Sequence, residues 1–348
     1  MGAEWGPSRN ANDGWEGIEK QGLVMKKIVM TFAAVALSAS AALGADLHVA
    51  AKAPPPPPAA PNPWDLAFGG ALMTDYIWRG ITQSAHNPSV AAYSELRYNY
   101  SSSLQFYGGL AGESIGFPNR AAAEIDMTTG VRPTFGPLAL DFGYWYYYYP
   151  GGQCFFTPFA GGPTNPNCIP GLPNGAVAKQ NWSFYEVYAK ALYTFNPQWA
   201  LSANYYYSPN ILNTGAQGNY VSGTLKFISP WQLWSGVGWY ASGEYGEQFL
   251  GTSDAFYGTP AFPAGVKYQS YQTWNVGLGV TWKVFTLDVR YYDTNMTAAN
   301  CAVYTSSQNA AFSASAVSAV NPGGLTSNWC GSVVVGKLSF DLTLDSLK

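Results

Sequence analysis

The sequence predicts an all-β fold: a transmembrane, antiparallel, up-and-down β-barrel of about 12 strands. Three observations carry this. Charged residues make up only 11% of the 348, against 16% aromatic, with 25 tyrosines. Soluble domains carry about a quarter charged residues. Apolar and polar residues alternate with a period of two through segment after segment, which puts them on opposite faces of strands. The connections between these segments alternate between long and short, as in outer-membrane barrels. Mean hydropathy is −0.06, and past the N-terminal region no uncharged run reaches the ~18 apolar residues of a membrane helix. A net charge of −3 without a Lys/Arg cluster gives no nucleic-acid footprint.

The chain divides into four parts. Residues 1–24, with Trp5, Trp15 and several charges, read as an upstream extension before a true start at Met25. Residues 25–45 read as a signal peptide: basic Lys26-Lys27, an apolar run from Ile28 to Ala42, and small residues for cleavage at Gly44 or Ala45. Residues 46–63, centred on Pro54 to Pro58, form a stiff periplasmic spacer. Residues 64–348 hold the barrel.

Its strands are expected near 64–82, 89–100, 104–115, 121–134, 138–149, 182–195, 198–209, 217–228, 231–245, 269–283, 285–293 and 331–344. The first runs from Leu66 through Phe68, Leu72 and Tyr76 to Trp78, with Asp65, Asp75 and Arg79 among the alternate positions. Short turns are expected at Ser101-Ser102-Ser103, Phe135-Gly136-Pro137, Asn196-Pro197, Ser229-Pro230 and Val284, and long loops at the other end. An even strand number puts both termini on the periplasmic side. In the fourth strand Glu124, Asp126 and Arg132 oppose Ile125, Met127 and Val131. In the tenth Trp274, Val276, Leu278, Val280 and Trp282 oppose Asn275, Gly277 and Gly279. Val333-Val334-Val335 fits least well, being apolar on both faces. Phe195, Trp199, Trp231 and Trp282 flank short turns, while Tyr146, Tyr148, Tyr205, Tyr207 and Trp239 lie toward the long loops, giving two interfacial girdles.

Asp75-Tyr76-Ile77-Trp78-Arg79-Gly80-Ile81-Thr82-Gln83-Ser84, followed by Asn87-Pro88-Ser89-Val90 and Glu95, resembles the N-terminal signature of the TorF family, Gram-negative outer-membrane porins of largely unassigned substrate. The likeness covers about 25 residues. It implies an outer-membrane location and passive transport, and no catalytic residues. Barrels of this type commonly end on an aromatic residue read by the assembly machinery; here the chain ends Phe340-Asp341-Leu342-Thr343-Leu344-Asp345-Ser346-Leu347-Lys348.

Strand parity places Asp75, Arg79, Glu95, Arg97, Glu113, Glu124, Asp126, Arg132, Asp141, Glu186, Lys190, Lys226, Glu244, Lys283, Asp288, Arg290, Lys337 and Asp341 inside, lining the lumen. Acids and bases nearly balance, so no ion preference follows. Glu124 and Asp126 are expected to pair with Arg or Lys across strands rather than to do acid–base work. Opposed stripes of charge would leave a channel and interlocked ones would fill it. Twelve strands lie between filled eight-stranded and open sixteen-stranded barrels. Inward Gly109, Ala111, Gly143, Gly236, Gly238, Gly277 and Gly279 favour a narrow bore. Cys154 with Cys168, and Cys301 with Cys330, are expected as loop disulfides, each stabilising by about 3 to 4 kcal/mol.

The function expected is an outer-membrane porin for passive diffusion of small polar solutes, not an enzyme, with no cofactor or metal. Its partners would be outer-membrane lipid, those solutes and the barrel-assembly machinery, with no nucleic acid; a homo-oligomer stays open. A closed structural or surface-interaction barrel is the alternative. An outer-membrane hydrolase barrel, which would have to use His86, is a third.

Overall fold

A computed structural model describes residues 63–156, 168–170 and 176–344. The expectations for 1–24 and 25–45, nearly all of the 46–63 spacer and the last four residues lie outside that range. Twelve strands close a barrel in chain order. They are β1 (Trp64–Met73), β2 (Ser89–Ser101), β3 (Leu104–Glu113), β4 (Glu124–Phe135), β5 (Leu138–Tyr148), β6 (Phe184–Thr194), β7 (Trp199–Ser208), β8 (Gly218–Ile228), β9 (Val237–Leu250), β10 (Tyr271–Trp282), β11 (Phe285–Thr294) and β12 (Val333–Thr343). Every neighbouring pair is antiparallel. β12 returns to β1 from Ala67↔Thr343 to Met73↔Lys337. Closure leaves no strand edge, which a bilayer without backbone partners demands.

The period of two sorts the side chains. Leu72, Val90, Leu110, Val276, Leu278, Leu287 and Val289 are each 50% exposed or more. A belt of that kind would be an aggregation surface in water and is satisfied in lipid. The alternate positions are buried and polar: Glu95, Glu124, Asp126, Glu186, Ser222 and Asp288. The apolar triplet of β12 has its own reason. Val334 faces out at 63% exposed. Val335 and Val333 instead pack against Ala71, Met73, Tyr76 and Ile77.

Short turns fall after β2, β4, β6, β8 and β10. Aromatics crowd there: Trp64 pairs with Tyr98 at 4.7 Å and Trp199 with Phe227 at 4.9 Å. The turn after β8 is longer than expected. Ser229 to Gly236 form it, with Gly236 at φ 77°, so Trp231 and Trp234 project from a turn, each about 70% exposed. β9 therefore starts at Val237 and continues to Leu250. This moves Trp239 to the short-turn end, where it packs on Phe227 at 5.8 Å; its placement toward the long loops is corrected.

The largest correction is at the first strand. β1 stops at Met73, and the chain then folds into the barrel. Ile77-Trp78 pairs with Ile81-Thr82 as a small inner hairpin. Its turn is Arg79-Gly80, with φ of 48° and 78°; positive φ at both central residues is what a type I′ turn needs. A Cβ at Gly80 would come within 2.3 Å of Thr294, so only glycine fits. Tyr76 and Trp78 are consequently buried and not lipid-facing.

The long loops hold the remaining structure. Helix α1 (Ala298–Thr305) starts where the Thr297 side chain accepts a hydrogen bond from the Asn300 N–H. Cys154 is bonded to Cys168, and Cys301 to Cys330.

Candidate functional site

The inner hairpin is rooted on β1 and reaches the opposite wall. Arg79 donates to both carboxylate oxygens of Glu186 on β6, at 2.9 and 2.8 Å, and to Gln248 on β9 at 2.9 Å. Its guanidinium lies 4.1 Å from the Trp78 ring centre, 4.4 Å from Tyr220 and 4.8 Å from Tyr206. Tyr271 on β10 donates to the Arg79 carbonyl at 3.1 Å. A bidentate, stacked arginine of this kind is a directional anchor that lysine could not reproduce. Arg79 in the left-handed region costs roughly 1–2 kcal/mol, which the anchor offsets.

Behind the tip, Asp75 organises the hairpin's return. It accepts from Thr82 Oγ1 at 2.5 Å and Ser84 Oγ at 2.8 Å, and lies 2.7 Å from His86 Nδ1. Asp75 holds the His86 imidazole above its ordinary titration range, chiefly through that hydrogen bond and against partial burial. The other ring nitrogen, Nε2, is 3.3 Å from the Asn328 carbonyl. The Thr82 N–H donates to the Trp329 carbonyl at 3.0 Å, next to Cys330. The final loop is thus stitched to the hairpin.

Around the tip the long-loop half of the bore is filled. Trp78, Ile81, Phe117, Trp145, Tyr147, Phe155, Trp182, Tyr206, Tyr220 and Trp329 belong to one buried cluster. The space left among Trp78, Ile81, Phe117, Trp182 and Trp329 is about 10 Å³, room for one water at most. Below the hairpin a chamber of about 120 Å³ remains, lined by Asp75, Tyr76, Tyr240, Asp288, Arg290 and Lys337 among others.

The charged residues are interlocked rather than striped. Arg132 bridges Glu95 at 2.8 Å and Asp141 at 3.1 Å, and lies 3.6 Å from the Tyr107 ring centre. Arg97 joins Glu95 at 2.6 Å and Asp65 at 3.6 Å. Arg290 meets Asp288 at 3.0 Å, Asn275 at 2.6 Å and Ser242 at 2.8 Å. Glu244 accepts from Tyr220 and Thr224, and Asp341 from Tyr93. Lys190 and Lys226 sit over tyrosine rings, at 4.6 Å from Tyr188 and 4.0 Å from Tyr240. Lys283 is placed differently from its expectation: it sits in the short turn after β10 with φ 54°, exposed and over Trp282.

Gly143, Gly277 and Gly279 do not open a bore either, and Gly236, expected inward, lies instead in the exposed turn after β8. A Cβ at Gly143 would strike the Tyr188 ring at 2.5 Å, and one at Gly279 the Tyr240 ring at 2.1 Å. Gly277 makes the same room for Arg290 at 2.9 Å. Each is a notch that receives a large side chain.

One group departs from pairing. Register sets Glu113 opposite Glu124 and Ala111 opposite Asp126. Glu124 and Asp126 share a face, so three carboxylates converge. One oxygen of each lies within 4.8 Å of the others, and all three residues are buried. The expected basic partner for Glu124 and Asp126 is not there among the described residues. Tyr76 donates to Glu124 at 3.0 Å. Sequence reading missed this trio because it depends on inter-strand register. It also missed Gln248, Tyr206 and Tyr220, whose roles follow only from where the hairpin lands.

A family model described as a bacterial protein of unknown function (Gcw_chp) matches residues 58–160. The search of curated proteins gives no match. Among solved structures, LpxR from Salmonella typhimurium has a TM-score of 0.39 and 10% identity, covering 79% of this chain and 99% of its own. An outer-membrane channel from Pseudomonas putida F1 has a TM-score of 0.37 and 8% identity, covering 82% and 97%. OmpT of Vibrio cholerae has 0.33 and 11%, covering 82% and 99%. The chain is a closed, twelve-stranded antiparallel β-barrel. The expectation that it is not an enzyme is corrected: a barrel fold by itself gives no ground for excluding catalysis.

Proposed function

We propose that this chain is a plugged outer-membrane barrel, whose long-loop end faces outside and carries its function as a surface for interaction. The observation that carries the reading is Arg79 spanning the bore to Glu186, inside a filled aromatic cluster. Two disulfide-held loops pack into the same cluster through Phe155, Cys301, Trp329 and Cys330. The last of these loops presents Phe312 and Val317, 70% and 52% exposed. The TorF resemblance supports the outer-membrane setting. It also supports the second reading, a porin for small polar solutes, which the charged chamber beneath the hairpin favours. In that reading the hairpin is a gate. Planar-bilayer recording separates the two. Folded wild-type protein is expected to give no discrete conductance steps, and protein with Ile77–Thr82 replaced by Gly/Ser is expected to conduct. Regular steps from the wild type would overturn the plugged reading.

A further inference from the structure

We propose that Glu113, Glu124 and Asp126 form a binding site for one calcium ion, in the barrel wall where β3 and β4 meet the long-loop end. The proposal is independent of whether the bore conducts. Two ligands of one calcium ion, each at 2.3–2.6 Å, can be no more than about 5 Å apart. The three carboxylates offer oxygens within 4.8 Å of one another, a spacing that fits one shared ion.

The second observation is what these oxygens lack. Both oxygens of Glu113, both of Asp126 and Oε2 of Glu124 are buried without a hydrogen-bond partner. Glu113 is 3% exposed, and Glu124 and Asp126 are 0% exposed. Glu95 and Glu186, by contrast, are satisfied, the first by two arginines and the second by Arg79 and Tyr147, and Asp65, with one oxygen unpartnered, still faces Arg97 at 3.6 Å. Leaving three like charges buried and uncompensated costs several kcal/mol each. A fold that sets an arginine against Glu95, Glu186, Asp65 and Asp288, yet aims these three at one another, has left a place for positive charge.

The chemistry of the donors selects the ion. All are carboxylate oxygens, with no sulfur or imidazole, which suits a hard cation and not zinc or copper. Three carboxylates offer five unpartnered oxygens and a sixth shared with the Tyr76 hydroxyl, and calcium takes six to eight in flexible geometry. Magnesium demands a stricter octahedron and keeps its waters, which a site this buried opposes. Tyr76 holds Glu124 through its other oxygen, at 3.0 Å. It is a positioning residue, and through it the ion would fasten the inner hairpin to the wall.

The test uses the full barrel, folded in detergent and stripped with EDTA. Calcium chloride titrated by calorimetry should bind at one equivalent, with magnesium at least tenfold weaker. Glu113→Gln and Asp126→Asn should each abolish that binding. Tyr76→Phe, which keeps the ring, should weaken it about 10- to 100-fold, as loss of an outer partner does. Terbium, a luminescent calcium substitute, should be sensitised by Trp145, whose buried indole neighbours Asp126, and the signal should fall in Trp145→Phe. This last readout needs no carboxylate variant to fold. Absence of calcium binding to folded wild type at millimolar concentration would overturn the proposal. So would binding that survives both carboxylate variants, since the ion would then lie elsewhere.

Discussion

Arg79, at the tip of the inner hairpin, and His86, four residues after it, show how single residues are held by charge. Arg79 is 5% exposed in its side chain and Glu186 0%, so removing one partner leaves a buried charge. Glu186→Gln lowers stability by about 3–5 kcal/mol on the usual scale for broken buried pairs, which urea unfolding in detergent would measure. His86 carries a pH dependence with a definite sign. Its folded pKa is raised by Asp75, so its contribution is fully present below the unfolded value of about 6.5. That contribution fades as pH rises through the higher folded value. Hydrogen exchange of residues 74–88 should quicken between acid and alkaline pH beyond the intrinsic change. In His86→Gln the extra quickening should be missing.

At the scale of elements, legibility followed periodicity. The long-and-short alternation and the two-faced strands were readable because both arise within a few residues of one another. The inner hairpin was not. Ile77-Trp78 and Ile81-Thr82 keep the period of β1, so alternation runs straight through the bend. The only local sign is Arg79-Gly80, and arginine seldom takes a positive φ. The start of β9 differs from expectation for a similar reason: Trp231-Gln232-Leu233 alternates like a strand but sits in a turn ended by Gly236. The acidic trio and the glycine notches were hidden because they depend on register and on which side chain crosses the bore. The final loop makes its own prediction. Cys301–Cys330 closes a segment with a separation of 29 residues, worth about 3–4 kcal/mol on the chain-entropy model. Because Thr82 bonds to Trp329 beside that bridge, a Cys301→Ser/Cys330→Ser pair should loosen the hairpin as well as the loop. Protease cleavage within 77–88 would report this; an unchanged cleavage pattern there would mean the two are uncoupled.

For the whole molecule, the decisive relation is between the belt and its solvent. Leu278 is 61% exposed near the middle of β10, and Val334 is 63% exposed one residue into β12 at the long-loop end. A soluble domain would treat both as surface positions, where a polar substitution costs little. A bilayer treats them unequally. Arginine near the midplane of an outer-membrane barrel costs about 2–4 kcal/mol, and near the interface about 0–1. Folding free energies in lipid vesicles should therefore show Leu278→Arg strongly destabilised and Val334→Arg close to wild type. Equal small effects would place the belt outside the membrane. The glycine at position 277 sharpens the comparison, because it lies on the opposite face of the same strand and is notched against Arg290. Gly277→Ala should destabilise through that crowding by about 1–3 kcal/mol, in vesicles and in detergent alike. Leu278→Arg should be damaging chiefly where there is lipid.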